Sequence, residues 1–290
     1  FLGIDPVSEL IPVRPAQHYS MGGIRTRPSG ESTNLRGLFA CGEASCWDMH
    51  GFNRLGGTSV AETVVAGMIV GEYIADYCDS SESDIDISTL QVAEFLKHEQ
   101  QNIDSLVTSK GSESATEIMR EMQTLMTDKV GIFRSHEQLN AAVEQLQVLY
   151  ARSRNIGLSY RSVAVNPELV TAYRVRRMLK LALCVAYGAL QRTESRGAHY
   201  REDYPERNDR DWLRRTLASW PTSDQTLPNL DYEDLDVMAM ELPPGWRGYG
   251  EKDFIEHPDA ASRVGEIERI KQNMPDADRY EIQSALMTYE

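Results

Sequence analysis

Hydrophobic positions in the first eighty residues come in short bursts between glycines and prolines. Beyond residue 85 they fall at helical spacing for more than a hundred residues. In the first part, residues 11–15 (Ile-Pro-Val-Arg-Pro) predict extended chain, because each proline biases its predecessor away from helix. His18 to Ile24 predicts a strand ending in the Gly22–Gly23 pair, residues 27–30 (Arg-Pro-Ser-Gly) a turn, and Leu35 to Cys41 a returning, buried strand. A tight turn at Gly42 and a glycine-punctuated loop then lead into a helix from about Ser59 to Tyr77. Its Val60, Val64, Met68, Ile69 and Ile74 share one broad face. Gly67 and Gly71 in that helix read as close packing on a sheet rather than as a membrane-dimer motif.

A polar stretch, Cys78 to Asp84, makes the best domain boundary. Four helices are predicted after it, at about 88–108, 113–128, 136–154 and 166–190. The third repeats Leu139, Val143, Leu146 and Leu149–Tyr150, and the fourth Leu169, Tyr173, Met178, Leu181 and Val185. Short connections between long amphipathic helices imply an antiparallel bundle. From Pro221 the chain turns proline- and acid-rich and reads as strands and loops over the bundle, including the irregular residues 243–250. Two short helices, about 258–273 and 276–288, close it. The fold class is therefore α+β: part of an α/β domain over residues 1–78, a helical bundle over 85–198, and a C-terminal segment over 199–290.

Charge changes this picture in one respect. The net charge of −14 argues against nucleic acid as a partner, since phosphate binding needs a basic face. The acidity is uneven: residues 1–60 carry five acids and five arginines, whereas residues 79–129 carry eleven acids against four Lys or Arg. The glycine-rich loop thus stays free to attract an anion. The four cysteines (Cys41, Cys46, Cys78, Cys184) show no C-x-x-C and no metal-ligand spacing. A reducing compartment suits that usage better than a disulfide scaffold. Cys41 and Cys184 lie in apolar runs and read as buried thiols. The longest uninterrupted apolar runs fall short of the roughly 20 residues of a membrane span. Phe1 opening straight into Leu-Gly-Ile-Asp-Pro reads as a cut through a longer chain.

The candidate chemistry sits in residues 39–60. Gly56 and Gly57 let backbone approach a ligand, Thr58 or Ser59 can cap the helix, and the helix start favours an anionic group. Arg54 lies just ahead. Three readings compete: a ligand-free connection, a phosphate loop, and a helix end facing a flat redox cofactor with Arg54 and a histidine holding a carboxylate. The second lacks G-x-x-x-x-G-K-[ST]. His18 and His50 are both candidate histidines, and each is equally readable as a satisfied structural residue. Arg192 to Pro205, dense in both signs, reads either as a solvated ion-paired face or as an interdomain or substrate-proximal network.

Three stretches bear a family resemblance: residues 11–23, with His18-Tyr-Ser-Met-Gly-Gly; residues 37–43, Gly-Leu-Phe-Ala-Cys-Gly-Glu; and residues 50–59, His-Gly-Phe-Asn-Arg-Leu-Gly-Gly-Thr-Ser. They closely resemble the flavoprotein subunits of fumarate reductases and succinate dehydrogenases. Residues 193–209 with Trp212 resemble that family's signature after the helical domain. The resemblance implies FAD as cofactor, with Glu43 on the adenosine-side ribose. His18, Tyr19, Arg54, Leu55, Gly56, Gly57, Thr58, Ser59 and Val60 would lie along the isoalloxazine. His18 and Arg54 would hold fumarate or succinate, an arginine's fork suiting a carboxylate bidentately. The helix end would stabilise reduced flavin and raise its potential. The proton-shuttling arginine lies outside these residues, so this stretch alone is expected to be inactive, and residues 1–12 resemble the strand returning from the capping domain.

The resemblance further implies an iron–sulphur subunit, a cytochrome b-type membrane anchor, quinone as electron partner, and a peripheral place on the cytoplasmic side of the inner membrane. Thr58 departs from the family's usual Asn, keeping a capping oxygen but losing an amide donor. Phe52 and the tail containing residues 243–249 look more like menaquinol-linked fumarate reductases. L-Aspartate oxidase shares the flavin motifs and is the nearest enzymatic rival. A non-catalytic docking module is the rival from another class.

Overall fold

The computed structural model describes residues 3–5, 7–12, 18–80, 92–222, 225–235, 260–276 and 281. Two-residue strands β1 (Ile24–Arg25) and β2 (Ser45–Cys46) pair in parallel, Ile24 opposite Ser45. Parallel strands normally lie in sheets covered on both faces. Here the Gly42 turn that leads into β2 lies against one long helix, α1 (Thr58–Asp79), where a Cβ at Gly42 would come within 3.3 Å of the Thr63 hydroxyl. The expected strand over His18–Ile24 reduces to β1, because Gly22 and Gly23 both take positive φ and break the extended run. Leu35–Cys41 is likewise not a strand: Leu35 to Gly37 turn, and one isolated bridge joins Phe39 to Glu31. Arg27–Gly30 turns as predicted, the Gly30 N–H donating to the Arg27 carbonyl at 2.9 Å. Gly42 opens a tight 3-10 turn at φ 68°. Cys41 and Cys184, expected inside, are only half-buried, and none of the four cysteines forms a disulfide.

Helix α1 departs from expectation in its buried face. Glu62, Ala66 and Val70 are inside, whereas the predicted apolar stripe faces outward, with Val60 72% and Met68 69% exposed. A side chain at Gly67 or Gly71 would meet nothing, so the G-x-x-x-G packs on no sheet among the described residues. Taken as a whole helix, α1 is long and apolar enough to cross a membrane by length and composition, which the uninterrupted runs did not suggest. It extends through Asp79, two residues into the polar stretch; residues 81–91 lie outside the described residues.

The bundle follows prediction closely. It comprises α2 (Val92–Thr108), α3 (Ala115–Lys129), α4 (His136–Arg152) and α5 (Pro167–Gln191), with the two-residue strand β3 (Phe133–Arg134) between α3 and α4. Three starts are capped by side chains. Ser114 accepts from the Glu117 N–H, Ser135 from Gln138, and Asn166 from Leu169, with Pro167 in the first turn. Ile118, Leu139, Leu146, Val175, Leu179 and Leu183 are fully buried in one core. On α5 the inward stripe is Ala172, Val175, Leu179, Ala182, Leu183 and Ala186. Leu181 and Val185, expected inside, are exposed. The helix is apolar over so broad an arc that spacing alone does not choose its inner face.

After α5 the chain forms β4 (Tyr200–Arg201), parallel to β3, and a short helix, α6 (Asp209–Trp212). An antiparallel hairpin follows: β5 (Arg214–Ser219) and β6 (Asn229–Asp234). This regular structure starts seven residues before the irregular segment predicted from Pro221. Leu227, between the two strands, packs on the bundle core. α7 (Ala260–Asn273) matches the first of the two closing helices. Residues 236–259, which include the 243–250 stretch, and most of the second closing helix lie outside the described residues.

Candidate functional site

The loop from Trp47 to Thr58 carries the candidate chemistry. Tyr19 stands at its centre. The Arg54 guanidinium lies over the Tyr19 ring at 5.2 Å, and His50 meets the same ring edge-on with centroids 5.6 Å apart. Burial, reinforced by the Glu62 and Glu43 carboxylates, holds the Tyr19 phenol above its ordinary range, so the ring stays neutral. The structure thus brings Tyr19, His50 and Arg54 together. His18, next in the chain, is exposed on irregular backbone. Glu43 sits on the Gly42 turn and accepts from the Ser20 N–H at 2.7 Å, tying the two segments.

The entry to α1 differs from the capped starts of the bundle. Neither Thr58 nor Ser59 caps it. The cap position belongs to Gly57, at φ 82°, and no side chain accepts there. Left-handed backbone at that residue favours glycine, and it displaces Thr58 into the first helical turn. The Thr58 hydroxyl instead donates back to the Leu55 carbonyl at 2.7 Å, which also accepts from Arg54 Nη1 at 3.0 Å. Side chains added at Gly56 or Gly57 would meet no other atom of the chain. The Thr58 N–H also donates to the Leu55 carbonyl, at 3.2 Å, and no side chain caps the N–H groups that follow it.

Three buried polar atoms here have no partner: Arg54 Nε, His50 Nε2 and Glu62 Oε2. Glu62 is held from the other side, its Oε1 accepting from Trp47 Nε1 at 3.2 Å. Buried polar atoms are normally paired, so a cluster of unpaired ones beside an uncapped helix start and two open glycines is what a polar ligand would complete. The spacing of His50, four residues before Arg54, was the available signal for the histidine. Nothing in the sequence marked Glu62 or Trp47. Among the described residues, no group of His, Cys, Asp or Glu forms a metal site.

The segment after α5 closes against this loop. Phe52 inserts beneath the Arg192 guanidinium, 4.7 Å from ring centroid, and beside His199. The Ala198 N–H donates to the Phe52 carbonyl at 3.0 Å. Behind it lies a buried ionic network, so residues 192–205 do not form a solvated face. Arg192 is 2% exposed and donates to Glu194 and to the Trp212 and Arg214 carbonyls. Glu194 is fully buried and is also gripped by Arg196 and the Asn208 N–H. Arg201, fully buried, donates to the Ala189 and Leu190 carbonyls at the end of α5 and forks onto Asp203. His199 takes a hydrogen bond from Arg134 on Nδ1, so Nε2–H faces the Arg192 carbonyl at 3.3 Å. Burial first, then the neighbouring arginine charges, bring its pKa down to about 4.

Residues 119–249 match the family model for the fumarate reductase flavoprotein C-terminus, and residues 1–60 match an FAD-binding domain. The fumarate reductase flavoprotein subunit of Helicobacter pylori (strain ATCC 700392 / 26695) is 53% identical over 283 residues, covering 97% of this chain. The chain belongs to the fumarate reductase and succinate dehydrogenase flavoprotein family. It spans 39% of the length of that relative. Among solved structures, a mutant of the FrdA chain of E. coli quinol fumarate reductase superposes with TM-score 0.76 at 35% identity, covering 87% of this chain and 42% of that one. A quinol-fumarate reductase with menaquinol molecules gives TM-score 0.73 at 34% identity, covering 82% and 41%. The likeness covers the mixed helix-and-sheet architecture described above.

FAD is the cofactor of this family, and the residues present fit it. The uncapped α1 start, the open Gly56–Gly57 backbone and the unpaired Arg54 and His50 nitrogens together leave donors without acceptors. A flavin and a carboxylate supply acceptors. The family model ends at residue 60, so the candidate loop is the last part of the chain that it covers.

Proposed function

We propose that the chain is the C-terminal part of a flavoprotein subunit that interconverts fumarate and succinate. The observation that carries this is the cluster of unpaired donors where Arg54 and His50 meet the uncapped start of α1. FAD, when bound, supplies the hydride donor or acceptor for the central carbons of the dicarboxylate. The chain's own residues bind and orient the dicarboxylate, and the proton that accompanies the hydride is assigned to an arginine outside these residues. Arg54 pairs a carboxylate, its guanidinium already steadied over Tyr19 and by the Leu55 carbonyl. His18 assists at the same end of the substrate, and His50 offers Nε2. The positive end of α1 would stabilise negative charge on the flavin, and Leu55, Gly56, Gly57, Thr58, Ser59 and Val60 are the residues that would hold it there. Glu43 holds the adenosine ribose.

The domain reading belongs to this proposal: residues 1–78 as the second part of the FAD domain, with 1–12 returning from a capping domain, 85–198 as the helical domain, and 199–290 as the C-terminal segment. The outward apolar face of α1 supports it, since a flavin domain has further layers to lay there. Electrons pass through an iron–sulphur subunit and a membrane anchor to or from quinone. The subunit sits peripherally on the cytoplasmic face of the inner membrane. The solved relatives named for quinol and menaquinol support the quinone as electron partner.

The test is steady-state turnover by the full-length, flavin-loaded protein. Fumarate reduction by a reduced dye and succinate oxidation are both expected, with no oxidation of L-aspartate. Turnover of aspartate instead would overturn the substrate assignment.

A further inference from the structure

We infer that residues 192–233 form a seat that straps the 48–54 loop at both ends, making Asp48 and Phe52 positioning residues for Arg54. The inference rests on reading Arg54 as a carboxylate-binding group.

At the near end, Asp48 sits at φ 74°, a left-handed conformation in which it is the one non-glycine residue among those described. Such a residue persists where its surroundings over-determine it. The surroundings are Arg215 on β5, which forks onto Asp48 at 3.1 and 2.6 Å. Arg215 also pairs with Glu233 on β6 at 2.5 Å, and Arg25 on β1 reaches both acids at 3.6 Å. A four-membered ionic ring therefore bolts the loop's start to the C-terminal hairpin.

At the far end, the Phe52 ring is covered by the Arg192 guanidinium, and its carbonyl accepts from the Ala198 N–H. Gly197 makes the fit close. It lies at φ +56°, and a Cβ there would come within 2.9 Å of Phe52 Cβ and 3.0 Å of its carbonyl carbon. Phe52 thus docks on bare backbone whose own geometry is set by the buried Glu194–Arg196–Asp209 pairs.

His50 stands between the straps, and Arg54 follows two residues past Phe52. The loop contributes little to its own rigidity, since Gly51 and Gly56–Gly57 interrupt it. Its geometry is therefore borrowed from the C-terminal segment. The Phe52 aromatic face matters because cation–π contact and ring packing need a flat apolar partner under the guanidinium.

The test uses the full-length, flavin-loaded protein and two readouts. Phe52→Ala is expected to raise amide hydrogen exchange across residues 50–57 by about tenfold or more while leaving α3, α4 and α5 unchanged. It is expected to raise KM for fumarate on the order of tenfold to a hundredfold, with a smaller loss in kcat, because misplacing a binding group by about an ångström costs that much. Phe52→Tyr restores both. A merely destabilised protein would lose kcat in proportion to its active fraction at unchanged KM. Arg215→Gln, which frees the other end, should raise exchange over residues 47–51. Unchanged exchange over 50–57 in Phe52→Ala, or a Tyr variant as impaired as the Ala variant, would overturn the inference. Should the unmodified protein fail to turn over any dicarboxylate, the functional reading falls, and the exchange comparison still decides whether the seat holds the loop.

Discussion

Two clusters of charged and polar side chains lie side by side in this molecule, and they are finished to different degrees. In the 192–209 segment every carboxylate and guanidinium that is buried finds its partner inside the chain: Arg192 with Glu194, Arg196 with Glu194 and Asp209, Arg201 with Asp203 and the end of α5. In the 47–62 loop and the helix that follows, Arg54, His50 and Glu62 each keep a buried atom without one. Both clusters hold ionic groups away from water, at a cost that pairing must offset. A network that closes on itself holds a structure in place, and one that stays open has a place for something else. Composition treats the two alike, so the difference is geometric.

Breaking the open cluster should cost function and little stability. Arg54→Ala in the full-length protein is expected to lower kcat/KM for fumarate on the order of 10³-fold or more, about 4 kcal/mol of transition-state stabilisation. Its unfolding free energy should change by about 1 kcal/mol or less. Steady-state kinetics together with a urea titration check both halves. A large loss of stability with turnover intact would erase the distinction, and intact turnover is what the docking-module reading predicts.

Breaking the closed cluster should do the reverse. Glu194→Ala leaves Arg192 and Arg196 buried without their shared acceptor and is expected to destabilise by about 3–5 kcal/mol. Equilibrium denaturation reads this directly.

His199 gives the closed cluster a pH signature. Above pH 6.5 the ring is neutral in folded and unfolded chain alike. As pH falls from 6.5 to about 4 the unfolded chain takes up the proton and the folded one does not, so stability falls. The drop amounts to about 3 kcal/mol in total and levels off below pH 4. His199→Gln should flatten that part of the thermal-midpoint profile. At the small end, Arg152 forks onto Glu113 and Glu121 in partly exposed surroundings. Arg152→Gln is expected to cost roughly 0.5 kcal/mol, less in high salt. If it cost as much as Glu194→Ala, burial would not be what separates the classes.

Much of this was legible from local pattern. The four bundle helices, the inward stripe of α4 and the turn at Gly42 follow from period and turn chemistry, which act over a few residues. The glycine–arginine loop stood out as a candidate ligand edge because glycine, cation and helix start stood in order, although those residues alone left a ligand-free connection open. Other features were hidden because their partners lie far off in sequence. Arg215 meets Asp48 across 167 positions, and no local signal at either one announces the other. The outward turn of the α1 apolar face could not be read either, since Val60, Val64 and Met68 spell an inward face by any periodicity rule. The cap position fell to Gly57 rather than to the expected Thr58 or Ser59, and the Thr58 hydroxyl turned back to the Leu55 carbonyl.

By itself, the sequence determined the helices and the family, since each depends on residue types at short, fixed spacings. Tertiary structure alone decided which charges are satisfied and which are left open, and which face of α1 is covered. It also decided that the C-terminal segment seats the loop carrying Arg54. Those outcomes depend on where distant segments bring their donors, acceptors and apolar surface, and pairing at a distance leaves no periodic mark along the chain.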